Sequence, residues 1–188
     1  MLQTLINCQI ANHALTINGK QQFVADGGEP EAFFKQLYQH LNCEYPKFYK
    51  MDAQSKLGFL AVEALVQHYP GIKKFSDDDV ALVFSNRSSS LDTDARFWKG
   101  VAAAEPVASP ALFVYTLPNI VQGEIAIRNK WYGENIFLVG EEYNPKQLYQ
   151  NAEILLQTGK ANAVVAMWVD FMEGQYQAVC ELLISKGE

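Results

Sequence analysis

Apolar positions recur along the chain in two different periods, and the switches between them mark its elements. Leu5, Cys8 and Ile10, then Leu15 and Ile17, stand among polar residues as they do in half-buried strands. Asn18-Gly19 supplies the positive φ angles of a tight turn before Gln22 to Val24, so the chain is predicted to open on a β-hairpin. Asp26-Gly27-Gly28 ends it, and Pro30 suits the first turn of a helix that gathers Phe33, Phe34, Leu37, Tyr38 and Leu41 on one face. A second helix runs from the N-cap Asp52 to Tyr69, with Leu57, Leu60, Ala61, Ala64 and Leu65 at spacings of three and four, and Pro70-Gly71 stops it.

The period then changes. Val80 to Phe84 is a continuous apolar run, as expected of a strand covered on both faces in a parallel sheet. The Ser/Asn loop 85 to 90 leads into another helix. Thr116 to Asn129 reads as helical with Gly123 in its middle, and Ile136 to Val139 as a short buried strand after a turn at Gly133. Asn144, Pro145 and Gln147 form a capping-box pattern opening a helix to about Thr158, with Gly159 as its C-cap. Ala163 to Phe171 and Tyr176 to Ile184, joined at Glu173-Gly174, read as a closing hairpin. The sum is a single α/β domain over 1–188, a mixed sheet packed with helices and carrying a hairpin at each end.

Composition narrows the classes of function. With 49% hydrophobic and 19% charged residues the chain can bury one substantial core and stay folded throughout. A net charge of −6, from 15 basic and 21 acidic residues with no basic stripe, argues against nucleic acid and against anionic membranes. The first residues lack a secretory signal, and no apolar run approaches the ~20 residues of a membrane span. Cys8, Cys43 and Cys180 show no metal-binding spacing and read as reduced thiols, so a soluble cytoplasmic protein without metal or cofactor is expected.

Isolated candidates for chemistry are weak. Glu141 and Glu142 are ordinary carboxylates for the first turn of a helix. Asp77, Asp78 and Asp79, with Asp92 and Asp94 further on, read as a solvated turn before a strand, since three consecutive acids cannot all face one ion. The loop 86 to 90 lacks the glycines of a phosphate cradle. His13, His40 and His68 have no partner at metal-ligand spacing. Phe113, Tyr115, Trp131, Tyr132 and Trp168 fit either an acyl tunnel or ordinary core packing.

Taken together and in order, several segments resemble the amino-terminal half of β-ketoacyl synthases, condensing enzymes of the thiolase superfamily. They are YPKFYKMDAQSKLGFLAVEAL, ALVFSNRSSSLDTDARF, SPALFVYTLPNIVQGEIAIRNKWYGEN and TGKANAVVAMW. The resemblance implies half of a thiolase-like fold. It also locates the family's nucleophilic cysteine: measured forward from Asn135 and back from Gly159, both spacings end on Glu142. A condensing enzyme needs a thiolate there, and a carboxylate is a poor substitute in thioester exchange. Neither of the family's histidine motifs has a counterpart, and the sequence stops after the first half. The helix after Glu142 carries one apolar stripe, Leu148, Ala152 and Leu155, as in a helix covered on one side only.

The implied type is the cysteine-less chain-length-factor variant, a non-catalytic partner of an active ketosynthase in fatty-acid-like, polyketide or polyene pathways. Its implied partners are a full-length ketosynthase or a second copy of itself, with acyl carrier protein delivering the substrate. Phe113 and Tyr115 become acyl-pocket candidates. Asn135, Ile136, Phe137, Leu138 and Val139 become the partner interface, because in thiolase-fold dimers this strand lies at the two-fold axis. Two rivals stand beside this reading: a small acyl-thioester decarboxylase or hydrolase using Glu142 as general base, and a self-associating scaffold.

Overall fold

The structure, a computed structural model, describes residues 2–103 and 108–186. A mixed sheet of seven strands is its frame: β1 (Leu2–Ala11), β2 (Ala14–Ile17), β3 (Lys20–Val24), β4 (Val80–Asn86), β5 (Asn135–Val139), β6 (Ala163–Met172) and β7 (Gln175–Ser185). Their spatial order is β3-β2-β1-β7-β6-β4-β5. β4 pairs parallel with β5 and β6, and every other pairing is antiparallel.

The opening hairpin is in fact a three-stranded meander. Its second turn is the expected Asn18-Gly19, with φ of 49° and 75°. Its first, which the sequence reading missed, uses Asn12 and His13 at φ 49° and 57°; the missed signal is Asn, the non-glycine residue that tolerates this region best. The closing hairpin turns at Glu173-Gly174, as expected, with φ of 50° and 82°.

Among the described residues six α-helices flank the sheet: α1 (Pro30–His40), α2 (Ala53–His68), α3 (Leu91–Val101), α4 (Pro110–Phe113), α5 (Ile120–Asn129) and α6 (Pro145–Gln157). Strand alternation divides the core between two faces. Leu82, Phe84, Val165, Met167, Cys180 and Leu182 pack with α1, α2 and α5, while Ala81, Val83, Val164, Ala166 and Leu183 pack with Leu148, Ala152, Leu155 and Leu156 of α6. Among the described residues α6 is thus the helix that covers this side of the sheet, and it turns a mostly polar face outward, as its single stripe predicts. α2 is the opposite case. Every residue from Ala53 to Leu65 is buried, including Gln54, Ser55, Lys56 and Glu63, because this helix lies between the sheet and its neighbouring helices.

Two expectations need correction. The predicted helix from Thr116 starts only at Ile120, after a 3₁₀ turn over Val114–Thr116. Leu117 is extended, with φ −113° and ψ 123°, because Pro118 follows it and disfavours the helical region for the preceding residue. The strand over Ile136 to Val139 is a half-exposed edge rather than a buried strand: β5 ends the sheet, and among the described residues no strand pairs with its outer side. Apolar content alone cannot distinguish a strand in the middle of a sheet from one at its edge.

Gly123 sits on the exposed side of α5, and a Cβ built there meets nothing within 4 Å. Gly123→Ala is therefore expected to stabilise the protein by about 1 kcal/mol through helix propensity. Thermal denaturation should register this as a Tm rise of roughly 2–4 °C.

Candidate functional site

In open α/β sheets the crevice at the carboxyl ends of parallel strands is where ligands bind. Here it is formed by the segments following β4 and β5 and by the distal part of β6. Asn86, the last residue of β4, is fully buried, and its carboxamide shapes the next turn. Its Oδ1 accepts from the Ser89 amide at 3.0 Å, and its Nδ2 donates to the Ser89 carbonyl at 2.7 Å and to Gln54 Oε1 at 2.8 Å. Ser89 is held at φ 51°, a region that costs a non-glycine residue about 1 kcal/mol or more, so these bonds fix the loop against its own preference.

Asp170 on β6 completes the clamp. One carboxylate oxygen accepts from the amides of Arg87 and Ser88 at 3.1 and 2.8 Å, and the other lies 3.6 Å from the Arg87 guanidinium. The Gly140 amide donates to the Asn86 carbonyl at 2.9 Å, which brings Glu141, Glu142 and Tyr143 to the same crevice. Asn144 then caps α6 by accepting from the Gln147 amide at 3.2 Å.

The resulting crevice, about 280 Å³, is lined by Arg87, Glu141, Glu142, Tyr143, Trp168 and Asp170, with the start of β7 at its edge. The Tyr143 and Trp168 rings lie 6.1 Å apart. Burial, reinforced by the Glu181 carboxylate, pushes the Tyr143 phenol up to about 12, so it stays protonated at neutral pH. Glu142 is exposed to solvent, and among the described residues no hydrogen bond fixes its side chain. It therefore lacks the dry, oriented setting in which a carboxylate acts as a general base.

No cysteine or histidine lines this crevice. Cys8 and Cys180 face each other across β1 and β7 inside the core, and burial raises both thiols. Cys43 lies against Glu63. His13 Nε2 is 2.8 Å from the Gly28 carbonyl, His68 Nδ1 is 2.8 Å from the Ala64 carbonyl, and His40 packs on Phe23. Among the described residues no group of three or more His, Cys, Asp or Glu could hold a metal, and no helix is long and apolar enough to cross a membrane.

The acyl-pocket candidates fall in different surroundings. Tyr115 is buried and donates to Glu124 Oε1 at 3.0 Å, whereas Phe113 is 60% exposed beside Phe97. Glu124 is itself buried. Lys47 Nζ lies 2.9 Å from its Oε2, close enough for an ion pair although outside hydrogen-bond geometry. Sequence reasoning missed this polar interior, which also includes Asp52 accepting from Thr93 Oγ1 at 2.7 Å and Glu181 bound by Asn7 and Tyr149. The available signals were Asp170 and Glu181 interrupting apolar strands, and the absence of a polar face on α2.

One such group predicts a pH dependence. Burial first, then the Glu63 carboxylate, pushes the Cys43 thiol from its ordinary value near 9 up to about 12. Below pH 9 the thiol is protonated whether the chain is folded or not. Between pH 9 and 12 the unfolded chain releases the proton and the folded one holds it, so this stability contribution is lost as pH rises. The Tm difference between the wild type and Cys43→Ser should shift against the wild type across that window and stay flat between pH 6 and 8.

The proposed interface residues lie on one open edge. The Leu82 amide donates to the Glu134 carbonyl and the Gly140 amide to the Asn86 carbonyl, both at 2.9 Å. In a parallel ladder this sets the alternation: Glu134, Ile136, Leu138 and Gly140 turn their backbone groups towards β4, and Asn135, Phe137 and Val139 turn theirs outward. Val139 is 57% exposed, and Val114 and Leu117, ahead of α5, are exposed as well.

No family model and no curated protein matches the sequence. Solved structures do match. A ketosynthase in complex with its chain length factor from Xenorhabdus doucetiae aligns over 99% of this chain and 79% of its own, with TM-score 0.67 and 14% identity. The ishigamide ketosynthase/chain length factor aligns over 98% of this chain with TM-score 0.75 and 15% identity. A type II polyketide acyl carrier protein in complex with its ketosynthase gives 98%, 0.71 and 11%. This chain spans 62% of the matched chain's length in each of the last two. The mixed sheet with helices on both faces is accordingly a fold shared with these solved ketosynthase and chain length factor structures.

Proposed function

We propose that this protein is a non-catalytic, chain-length-factor-type partner that dimerises with an active β-ketoacyl synthase in the cytoplasm, within a polyketide or fatty-acid-like pathway. The observation that carries the proposal is the combination of this fold with Glu142, a solvent-exposed carboxylate, at the position counted for the family's nucleophile. The crevice offers no thiolate and no imidazole for acyl transfer or decarboxylation. Condensation then belongs to the partner, which receives substrate from acyl carrier protein. On this reading Asn135 to Val139 form the centre of the interface. Phe113, exposed, is free to line the partner's acyl pocket, while Tyr115 serves this chain's own interior through Glu124.

The test is co-expression with a full-length ketosynthase and an acyl carrier protein, followed by intact-mass analysis after supplying labelled acyl groups. A one-to-one complex, with label on the ketosynthase alone, is expected. A stable acyl adduct on this chain, or failure of every ketosynthase from its host to bind it, overturns the proposal. Glu142→Ala should leave product formation intact and change stability by no more than about 1 kcal/mol, the scale of a helix-end charge. Loss of product with normal expression would favour a Glu-dependent enzyme.

A further inference from the structure

A second, larger cleft stands at the opposite end of the parallel strands from Glu142. Asp77 and Trp131, which lie just ahead of β4 and β5, form part of its wall, and the C-terminal ends of α2 and α5 and the 3₁₀ turn Pro70–Lys74 form the rest. It holds about 650 Å³, within the ~300–1,000 Å³ typical of small-molecule sites. Its apolar part comes from Val66, Ile72, Phe75 and Trp131, of which Ile72 and Trp131 are buried.

The charges around this floor are unbalanced. Arg128 is already committed: its Nε and Nη2 bond the Glu63 carboxylate at 2.9 and 3.3 Å, and its guanidinium lies over the Tyr45 ring. Lys73 and Lys130 have no carboxylate within 4.0 Å among the described residues. Two unpaired ammonium groups therefore face a cleft whose remaining acid is Asp77. Lys130 is also placed at a conformational cost. As the C-cap of α5 it has φ 58° and ψ 38°, a position that ordinarily selects glycine or asparagine. A lysine kept there puts its charge at the cleft when a glycine would serve the backbone better.

We propose that this cleft binds an amphiphilic monoanion, an aliphatic carboxylate, with its chain on Val66, Phe75 and the edge of Trp131 and its head group between Lys73 and Lys130. One negative charge balances the local excess, and the apolar floor selects a hydrocarbon body over a bare anion. The site is separate from the Glu142 crevice and holds whatever the chain's role beside a ketosynthase.

Calorimetric titration of the purified chain with octanoate tests this, with octan-1-ol, octylamine and acetate as comparisons. Octanoate should bind saturably and at least about tenfold tighter than each of the other three. The double variant Lys73→Ala with Lys130→Gly should weaken octanoate at least about tenfold; Lys130→Gly relieves the left-handed residue, so a Tm equal to or above the wild type verifies the fold. Arg87→Ala, at the other end of the strands, should leave the affinity unchanged. The proposal is overturned by an absence of saturation up to about 10 mM, by octanol binding as tightly as octanoate, or by an unchanged affinity in the folded double variant.

Discussion

Phe137→Pro should convert a dimer into a monomer without unfolding the chain. The Phe137 amide points away from β4, so proline at this position leaves the β4–β5 ladder in place while removing an outward donor and adding bulk at the edge. In the proposed two-fold antiparallel pairing of β5 with a second β5, Phe137 would stand opposite itself and Asn135 opposite Val139, giving up to about six backbone hydrogen bonds. An unpaired apolar edge of this kind is a template for association in any case. A stable interface needs about 1,600 Å² in total, so five residues of β5 can form only its centre, with Val139 as its most exposed apolar side chain.

The expected loss is about 3 kcal/mol of association, or at least ~100-fold in Kd. Light scattering at micromolar concentration should show the wild type dimeric, either with itself or with an added ketosynthase, and the variant monomeric with an unchanged circular dichroism spectrum. Part of the Phe137 ring packs on the core, so Val139→Pro, whose side chain is largely exposed, provides a second test without that packing loss. A monomeric wild type, or a dimer that survives both substitutions, would remove the basis for edge pairing.

Gly133→Ala should be strongly destabilising. A Cβ at this position would lie 2.4 Å from the Val80 carbonyl oxygen, 2.8 Å from its carbon and 3.1 Å from the Asp78 carbonyl oxygen. All three are backbone atoms at the base of β4, and none can swing aside as a side-chain terminus can. Either β5 moves away from β4 or the start of β4 shifts. We expect a loss of about 3 kcal/mol, visible as a Tm lower by roughly 6–12 °C, and faster amide exchange along β5. The same substitution at Gly123 is expected to act in the opposite direction, because there the added methyl enters open space. Equal effects at the two sites would contradict this account.

Local rules made much of the fold legible. Asp52 accepts from the Ser55 amide and Asn144 from the Gln147 amide, as the capping patterns required, and Gly159 takes the expected left-handed conformation with φ 67°. The two-faced apolar run over Val80 to Phe84 became a parallel strand with a neighbour on each side. Spacing singles out Glu142 as the counted position, and the structure puts that residue at the crevice of Arg87 and Asp170. The crevice itself could not be read from sequence, because Asp170 lies more than eighty positions from the amides it holds.

The sequence by itself determined the order and ends of most elements, the one-sided character of α6, the sharp turns at Asn18-Gly19 and Glu173-Gly174 and the absence of a cysteine at the counted position. Those features depend on spacings of a few residues, where backbone geometry and side-chain period act directly. The tertiary structure alone decided which apolar segment is interior and which is an edge. Val80 to Phe84 and Asn135 to Val139 read alike, yet one is covered on every side and the other has an open flank. It also decided that α2 is enclosed, so that Lys56 needs Glu31, Glu63 needs Arg128 and Asp52 needs Thr93 from distant segments. Burial and charge pairing are sums over neighbours that the chain brings together only when it folds, and no local window contains them.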